Sequence, residues 1–270
     1  MDGLQHIAET FTSLRAQHRA ALMPYFTLGY PTAEASLSVI EALANSGADL
    51  IELGVPFSDP LADGATIQRA AIRGLASKTN LKGIFAAVKR VRTVSQVPII
   101  LMLYYNLVFK YGETKFARDA AAAGVDGVII PDLPPDEADE LIEEAEINGL
   151  DTIFLLAPTS DADRIKLVSQ SSTGFIYYVS LTGVTGERAK LDAAGIKASI
   201  AKIRKKTKLP ISVGFGISTP EQAAQVAALG DGVIVGSAIV SIMEKDPGEA
   251  AAKVGEFVRG LKAGVLSAKK

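Results

Sequence analysis

The sequence predicts an α/β fold: a single (β/α)8 TIM barrel with an extra helix at its N-terminus and a short extra helix before the last one. Three observations carry that reading. The short apolar runs are hydrophobic throughout rather than alternating, as strands buried on both faces require. Each run is followed by a turn and then a stretch with apolar residues at helical spacing. Eight such units fill the 270 residues with no Pro- or Ser-rich linker, which favours a closed barrel over a doubly wound sheet and reads as one domain, 1–270.

In chain order, residues 1–19 read as an amphipathic helix with Leu4, Ile7, Ala8, Phe11 and Leu14 on one face. Residues 20–28 (AALMPYFTL) form the first strand, stopped by Gly29 and Pro31, and residues 33–45 the helix that follows. Next come a strand at 50–54, helices at 64–76 and 81–94, a strand at 98–104 and a helix at 113–123. The second half continues with strand 127–130, helix 136–148, strand 152–156, helix 161–171 and strand 175–179. Helix 196–207, strand 211–213, helix 220–229, strand 232–235 and a final helix from Pro247 complete the chain. Residues 237–243 make the short extra helix, because Asp246 and Pro247 interrupt before the last long one.

Composition narrows the function classes. Hydrophobic residues are 48% and charged residues 21% of the chain, a globular balance, and the net charge of -2 offers no basic footprint for nucleic acid. Cysteine is absent, which removes disulfides, thiolate metal ligands and a cysteine nucleophile together. The longest apolar run, 97–105, is far short of the roughly 20 residues that span a bilayer. The N-terminal helix lacks the apolar centre and cleavage site of a signal peptide, so a soluble, cytoplasmic protein is expected.

The chemistry points to residues 50–69, LIELGVPFSDPLADGATIQR. Glu52 interrupts an apolar strand, and burial there disfavours the carboxylate and raises its pKa toward the range useful for proton transfer. Asp59 and Asp63 follow in a Pro- and Gly-punctuated loop, where aspartate also serves simply to cap turns. In a barrel the strand ends and the loops after them share one mouth, so Glu52 and Asp63 are expected at a common site.

Glycine-containing stretches follow the last three strands: residues 182–186 (TGVTG), 214–218 (GFGIS) and Gly236-Ser237. A lone glycine pair marks a tight turn, but three at these loops match the place where barrels bind phosphate on backbone amides and the start of a short extra helix. These motifs contain no Lys or Arg, so an enclosed phosphate would rest on amides and Ser237.

ELGVPFSDPLADGATIQ resembles the signature of the tryptophan synthase alpha subunit family, the indole-3-glycerol-phosphate lyases. The likeness extends along the chain through PYFTLGYPT, MLYYNLVFKYG, AAGVDGVIIPDLPPDE, LLAPTS, IYYVSLTGVTGER, SVGFGIS and GSAIV. It implies a retro-aldol cleavage of indole-3-glycerol phosphate to indole and glyceraldehyde 3-phosphate, with no cofactor or metal in this chain. Glu52 then matches the general acid-base and Asp63 its partner at the indole N–H, with Tyr177 an active-site tyrosine. Tyr25, Tyr104 and Phe215 match the pocket lining, and Gly186, Gly214, Gly216, Gly236 and Ser237 the phosphate cradle. Tyr25 stands where certain members have Phe, Tyr30 where many have Asp, and Leu181-Thr182 where some have Arg-Ser, none of which removes a catalytic group.

The resemblance further implies a pyridoxal-phosphate beta subunit as partner, in an alpha2beta2 heterotetramer, with the cofactor belonging to the partner. Docking would engage the loop after strand two, Pro56-Phe57 and Pro131-Asp132, and would favour closure of residues 181–191, bringing Thr185 to Asp63. Other phosphate-binding barrels of the same pathway share the fold, but a synthase needs an essential strand-end lysine and an isomerase a Cys-Asp pair. A free-standing indole-producing lyase and a non-catalytic allosteric partner remain the alternatives, although the presence of both Glu52 and Asp63 argues against the second.

Overall fold

Every pair of neighbouring strands is parallel, in the order β5-β4-β3-β2-β1-β9-β8-β7-β6. The structure, a computed structural model, describes residues 3–180, 191–214 and 216–268. Its strands are β1 (Ala21–Thr27), β2 (Ile51–Gly54), β3 (Ile99–Met102), β4 (Gly127–Ile129), β5 (Asp151–Ile153), β6 (Leu155–Leu156), β7 (Ile176–Val179), β8 (Ile211–Gly214) and β9 (Gly232–Val235). The two ends of the order, β5 and β6, are separated in the chain by Phe154 alone, so the sheet closes on itself. The single strand expected at 152–156 is thus divided. Its first half pairs with β4 and its second with β7, the stagger that tilted strands need in order to close a barrel.

The helices are α1 (Gly3–Ala16), α2 (Ala33–Asn45), α3 (Ala65–Ala76), α4 (Leu81–Arg92), α5 (Tyr105–Tyr111), α6 (Glu113–Ala123), α7 (Asp139–Ile147), α8 (Ala162–Ser171), α9 (Ala193–Ile203), α10 (Pro220–Ala227), α11 (Ser237–Lys245) and α12 (Ala250–Ser267). A 3-10 turn, Pro135–Glu137, precedes α7. Most elements lie within a few residues of their expected places, and α11 is the short extra helix before the last. The helix α5 was not expected. Its first free N–H, that of Tyr105, donates to Asp132 Oδ1 at 2.9 Å, a cap supplied from the far side of the next strand.

Two apolar cores result. The larger lies between the strands and the outer helices, where Phe26, Val39, Leu43, Val88, Phe116 and Val258 are buried. The smaller fills the barrel itself, with Met23, Leu50, Ile100, Ile129, Phe175 and Ile234 turned inward. Residues Ile7, Phe11 and Leu14 of α1 join this inner core, and the Phe11 ring lies 5.7 Å from that of Phe175. The N-terminal helix therefore plugs the end of the barrel where the strands begin. It is fastened by the Gly3 N–H donating to the Gly149 carbonyl at 2.8 Å and by His6 Nδ1 at 2.8 Å from Asp126 Oδ1. Asp126 also accepts from Arg92 and from the Ile99 N–H, so this buried carboxylate has its charge and lone pairs met.

With one end plugged, access to the interior is left to the other end, where the strands finish and α2 to α12 mostly begin. Several helices there start on a side-chain cap, Thr32, Asn80, Asp161, Asp192 and Thr219 each accepting from the backbone N–H three residues on. Helices α3, α5 and α11 have no such side-chain cap of their own. No helix among the described residues is long and apolar enough to cross a membrane.

Candidate active site

Strand β2 is short and apolar except at its second residue. Its pairing sets Glu52 opposite Tyr25 on β1 and opposite Ile100 on β3, inside the barrel. The side chain is 1% exposed, and neither carboxylate oxygen meets a hydrogen-bond partner among the described residues. Burial, and secondarily the charge of Asp63, raise its pKa to about 8. A carboxyl group kept neutral at physiological pH, with no partner among the described residues, can serve as a proton donor.

Asp63 comes to the same place from the loop after β2. Its Oδ2 accepts from the Tyr104 hydroxyl at 3.1 Å, and Tyr104 accepts in turn from the Ala62 N–H at 3.0 Å. Phe57 stacks on the Tyr104 ring, centroids 5.0 Å apart and planes 19° from parallel. Burial pushes the Asp63 carboxyl up to about 6, against the hydrogen bond from Tyr104 that pulls it down. The structure thus separates the two loop aspartates. Asp63 turns to the mouth, whereas Asp59 remains exposed and accepts from the neighbouring Ser58 hydroxyl at 2.6 Å.

Three tyrosines complete the walls. The Tyr25 hydroxyl is 3.1 Å from Thr27 Oγ1, and burial raises its pKa, helped by the charges of Asp63 and Glu52. Burial likewise raises that of Tyr177, with Glu52, Tyr25 and Asp63 all close enough to add to the effect. Tyr104 is raised by burial and then by Asp63. These mutual influences place Glu52, Asp63, Tyr25, Tyr104 and Tyr177 in one cluster at the barrel mouth.

Two glycines are needed to fit these rings. A Cβ at Gly54 would lie 2.0 Å from the Tyr25 hydroxyl oxygen, and one at Gly214 would lie 2.8 Å from Tyr177 Cε1. Gly214 therefore has a packing duty that its place in a GFG motif did not reveal. Gly236 meets the same Tyr25 ring from the other side, with Cδ1 at 3.3 Å from its would-be Cβ, while Gly216 has open space there. Beyond Gly236, α11 opens on Ser237 with no side-chain cap, so its first N–H groups and positive dipole end suit an anion. Thr185, Gly186 and Phe215 lie outside the described residues.

Sequence reasoning missed Thr27 and Gln68, and read Phe57 as a docking residue rather than as the ring stacked on Tyr104. Gln68 Nε2 donates to the carbonyl oxygens of Asp63 at 2.9 Å and Pro60 at 3.3 Å, and so ties down the loop that carries Asp63. Nothing in its local pattern distinguishes it from any polar residue on a helix. Among the described residues no group of three or more His, Cys, Asp or Glu is placed to hold a metal ion.

The site therefore offers a neutral carboxylic acid and a more acidic carboxyl, flanked by phenol rings and near a helix start that has no side-chain cap. Comparison with known proteins gives the family. Residues 11–265 match the family model described as Tryptophan synthase alpha chain. A tryptophan synthase alpha chain of Geobacter sulfurreducens is 52% identical over 260 residues, covering 96% of this chain and 98% of the relative. The solved alpha subunit of Legionella pneumophila superposes with a TM-score of 0.90 at 38% identity, covering 98% of each chain. A tryptophan synthase complex from Pyrococcus furiosus contains a chain that superposes with a TM-score of 0.83 at 36% identity, covering 91% of this chain and 98% of that one. The chain belongs to the tryptophan synthase alpha chain family, and is a carbon–carbon lyase that cleaves indole-3-glycerol phosphate to indole and glyceraldehyde 3-phosphate.

Proposed function

We propose that Glu52 and Asp63 divide the proton handling of this cleavage. Neutral Glu52 donates its proton to carbon three of the indole ring, and the ionised Asp63 accepts a hydrogen bond from the ring N–H as that nitrogen takes up positive charge. Glu52, now a carboxylate, removes the proton of the side-chain hydroxyl on the adjacent carbon. The O–H electron pair becomes the carbonyl of glyceraldehyde 3-phosphate. The breaking carbon–carbon bond returns its pair to the ring, restoring indole. Glu52 ends protonated as it began, so the cycle balances without an external acid or base. Among the described residues Tyr104 meets Asp63 at Oδ2, and Oδ1 is the oxygen offered to the substrate.

The observation that carries this reading is the buried Glu52 carboxyl, both of whose oxygens lack a hydrogen-bond partner among the described residues. No structural economy explains such a group, because leaving a polar atom buried and unpaired costs about 1–3 kcal/mol. Tyr177 and Tyr25 shape the space for the ring. The phosphate sits on the amides near Gly214, Gly216, Gly236 and Ser237, joined by Gly186. The chemistry needs no cofactor from this chain. Incubation with indole-3-glycerol phosphate tests the assignment: Glu52→Gln should release indole orders of magnitude more slowly than the parent, and near-parental release would sink it.

We further infer that the chain works with a tryptophan synthase beta subunit in an alpha2beta2 heterotetramer in the cytoplasm, handing indole to the partner's pyridoxal-phosphate site. The Pyrococcus furiosus relative, solved as a complex, supports a partnership. So does the mouth itself, where Leu61 is 89% and Phe109 70% exposed. Leu61 precedes Ala62, whose N–H donates to the Tyr104 hydroxyl, and the Phe109 ring lies 6.1 Å from that of Tyr105, the residue after Tyr104. Large apolar groups that stay exposed around a site mark it for contact.

A further inference from the structure

The turn that presents Asp63 has little to hold it. Asp63 N–H donates to the Pro60 carbonyl at 3.0 Å, closing a four-residue turn whose tip residues, Leu61 and Ala62, are exposed. Gly64, the N-cap of α3, follows with a φ of -73° that any residue adopts and open space around its α-carbon. It supplies no side-chain cap, so the turn is joined to α3 by a link that neither packs nor hydrogen-bonds through a side chain. Free main-chain rotation at that link would move the Asp63 carboxylate relative to Glu52.

Two side chains prevent this. Tyr104 grips the carboxylate itself, at an atom whose charge and partners change when substrate arrives. Gln68 grips the main chain, its amide donating to the carbonyls of both Pro60 and Asp63 from the second turn of α3. The Gln68 N–H also closes the first helical turn on the Gly64 carbonyl at 3.0 Å, so the strap is anchored in the helix. The Pro60 carbonyl thereby accepts from both ends of the segment, Asp63 N–H and Gln68 Nε2. Because this grip does not involve the reacting carboxylate, it persists whichever hydrogen bond that carboxylate makes.

We infer that Gln68 is a positioning residue for the lyase reaction, which fixes Asp63 against the indole nitrogen by strapping the turn 60–63 to α3. This rests on the assignment of Asp63 made above. Misplacing a reacting group by about 1 Å costs roughly 10²-fold in rate, while the phosphate end of the substrate, bound elsewhere, is unaffected. Gln68→Met keeps length and shape and removes the donor.

In the full-length chain it should lower kcat for indole release at least tenfold, leave KM within about twofold, and leave the melting temperature and glyceraldehyde 3-phosphate affinity as they are. A double-mutant cycle separates positioning from mere bracing. If Gln68 acts through Asp63, then Gln68→Met should change kcat by less than about twofold once Asp63→Asn is present. Parental kcat in Gln68→Met overturns the inference, as does a loss that multiplies undiminished in the Asp63→Asn background or that tracks a fall in melting temperature. Full turnover in Asp63→Asn alone overturns instead the role of Asp63 on which it rests.

Discussion

Asp63 ionises first, at a pKa of about 6, and the charge it then carries helps burial keep Glu52 protonated up to about 8. One pair of carboxyl groups is thereby split into a base and an acid over the same span of pH. Such a pair titrates as a unit, and the pH dependence of the reaction should show it.

The value of kcat/KM should describe a bell. Below about pH 6 Asp63 takes up a proton and loses the charge that stabilises the developing positive indole nitrogen; above about pH 8 Glu52 loses the proton it must give. Replacing Asp63 with Asn removes the like charge, so the residual activity should show its alkaline limb displaced to lower pH. Rates measured from pH 5 to 9.5 test this. An alkaline limb that stays in place in Asp63→Asn would show that the two groups do not interact.

Glu52 should be a liability to stability. Its folded-state pKa of about 8 lies above its ordinary value of 4.5, so between those values the folded chain holds a proton that the unfolded chain has lost. Stability is complete below about pH 4.5 and falls as pH rises toward 8, the sign expected when the native state binds more protons. Glu52→Gln has no proton to lose. It should melt above the parent, with a gap that widens between pH 5 and pH 9, while turnover drops by a factor of about 10² or more. Thermal melts across that range check it, and a gap independent of pH would refute the burial argument.

The phosphate cradle can be probed without disturbing packing. A side chain at Gly236 would press on Tyr25, and one at Gly214 on Tyr177, but Gly216 faces open space. Gly216→Val should therefore keep the parental melting temperature and weaken glyceraldehyde 3-phosphate binding by about 1–3 kcal/mol, the cost of leaving polar groups unpaired. Calorimetric titration with that product reads the effect directly; unchanged affinity would place the cradle elsewhere.

The sequence made some of this legible and hid the rest for definable reasons. Apolar runs ended by glycine or proline mark strands locally, which is why β2 and β9 fall where expected, and a carboxylate inside such a run, Glu52, stands out for the same reason. The break at Phe154 is not local: it follows from closing the barrel, when one segment must pair with β4 and β7 in turn. Helix α5 went unseen because Tyr105 to Tyr111 continues an apolar run and its cap, Asp132, is 27 residues away. Asp192 caps α9 from a position that made the helix begin earlier than its apolar spacing suggested. Gly54 and Gly214 looked like turn residues, yet each makes room for a tyrosine ring from another strand. Gln68 became meaningful only when the loop folded back onto it.

The last prediction concerns the partner and uses Phe109, which belongs to α5 and touches neither Glu52 nor Asp63. Phe109 is 70% exposed, unlike Tyr25 and Tyr104, which are buried, and Phe57 and Tyr177, which are half-buried. A docked subunit that covered it and Leu61 would press on the turn 60–63 from outside and on the Tyr104 ring through α5, both of which bear on Asp63. Docking would then favour the catalytic geometry by binding that state better than others, as any coupling between two sites requires. Adding beta subunit should raise indole release by the full-length chain at least roughly tenfold, equivalent to about 1.4 kcal/mol of coupling. At a fixed subunit concentration Phe109→Asp should forfeit most of that rise, because a charge must be desolvated where an apolar ring was covered. The family resemblance implies that docking brings Thr185 to Asp63, so Thr185→Val should also reduce the rise. Full activity of the isolated chain, with no response to beta subunit in either protein, would instead identify a free-standing indole-producing lyase.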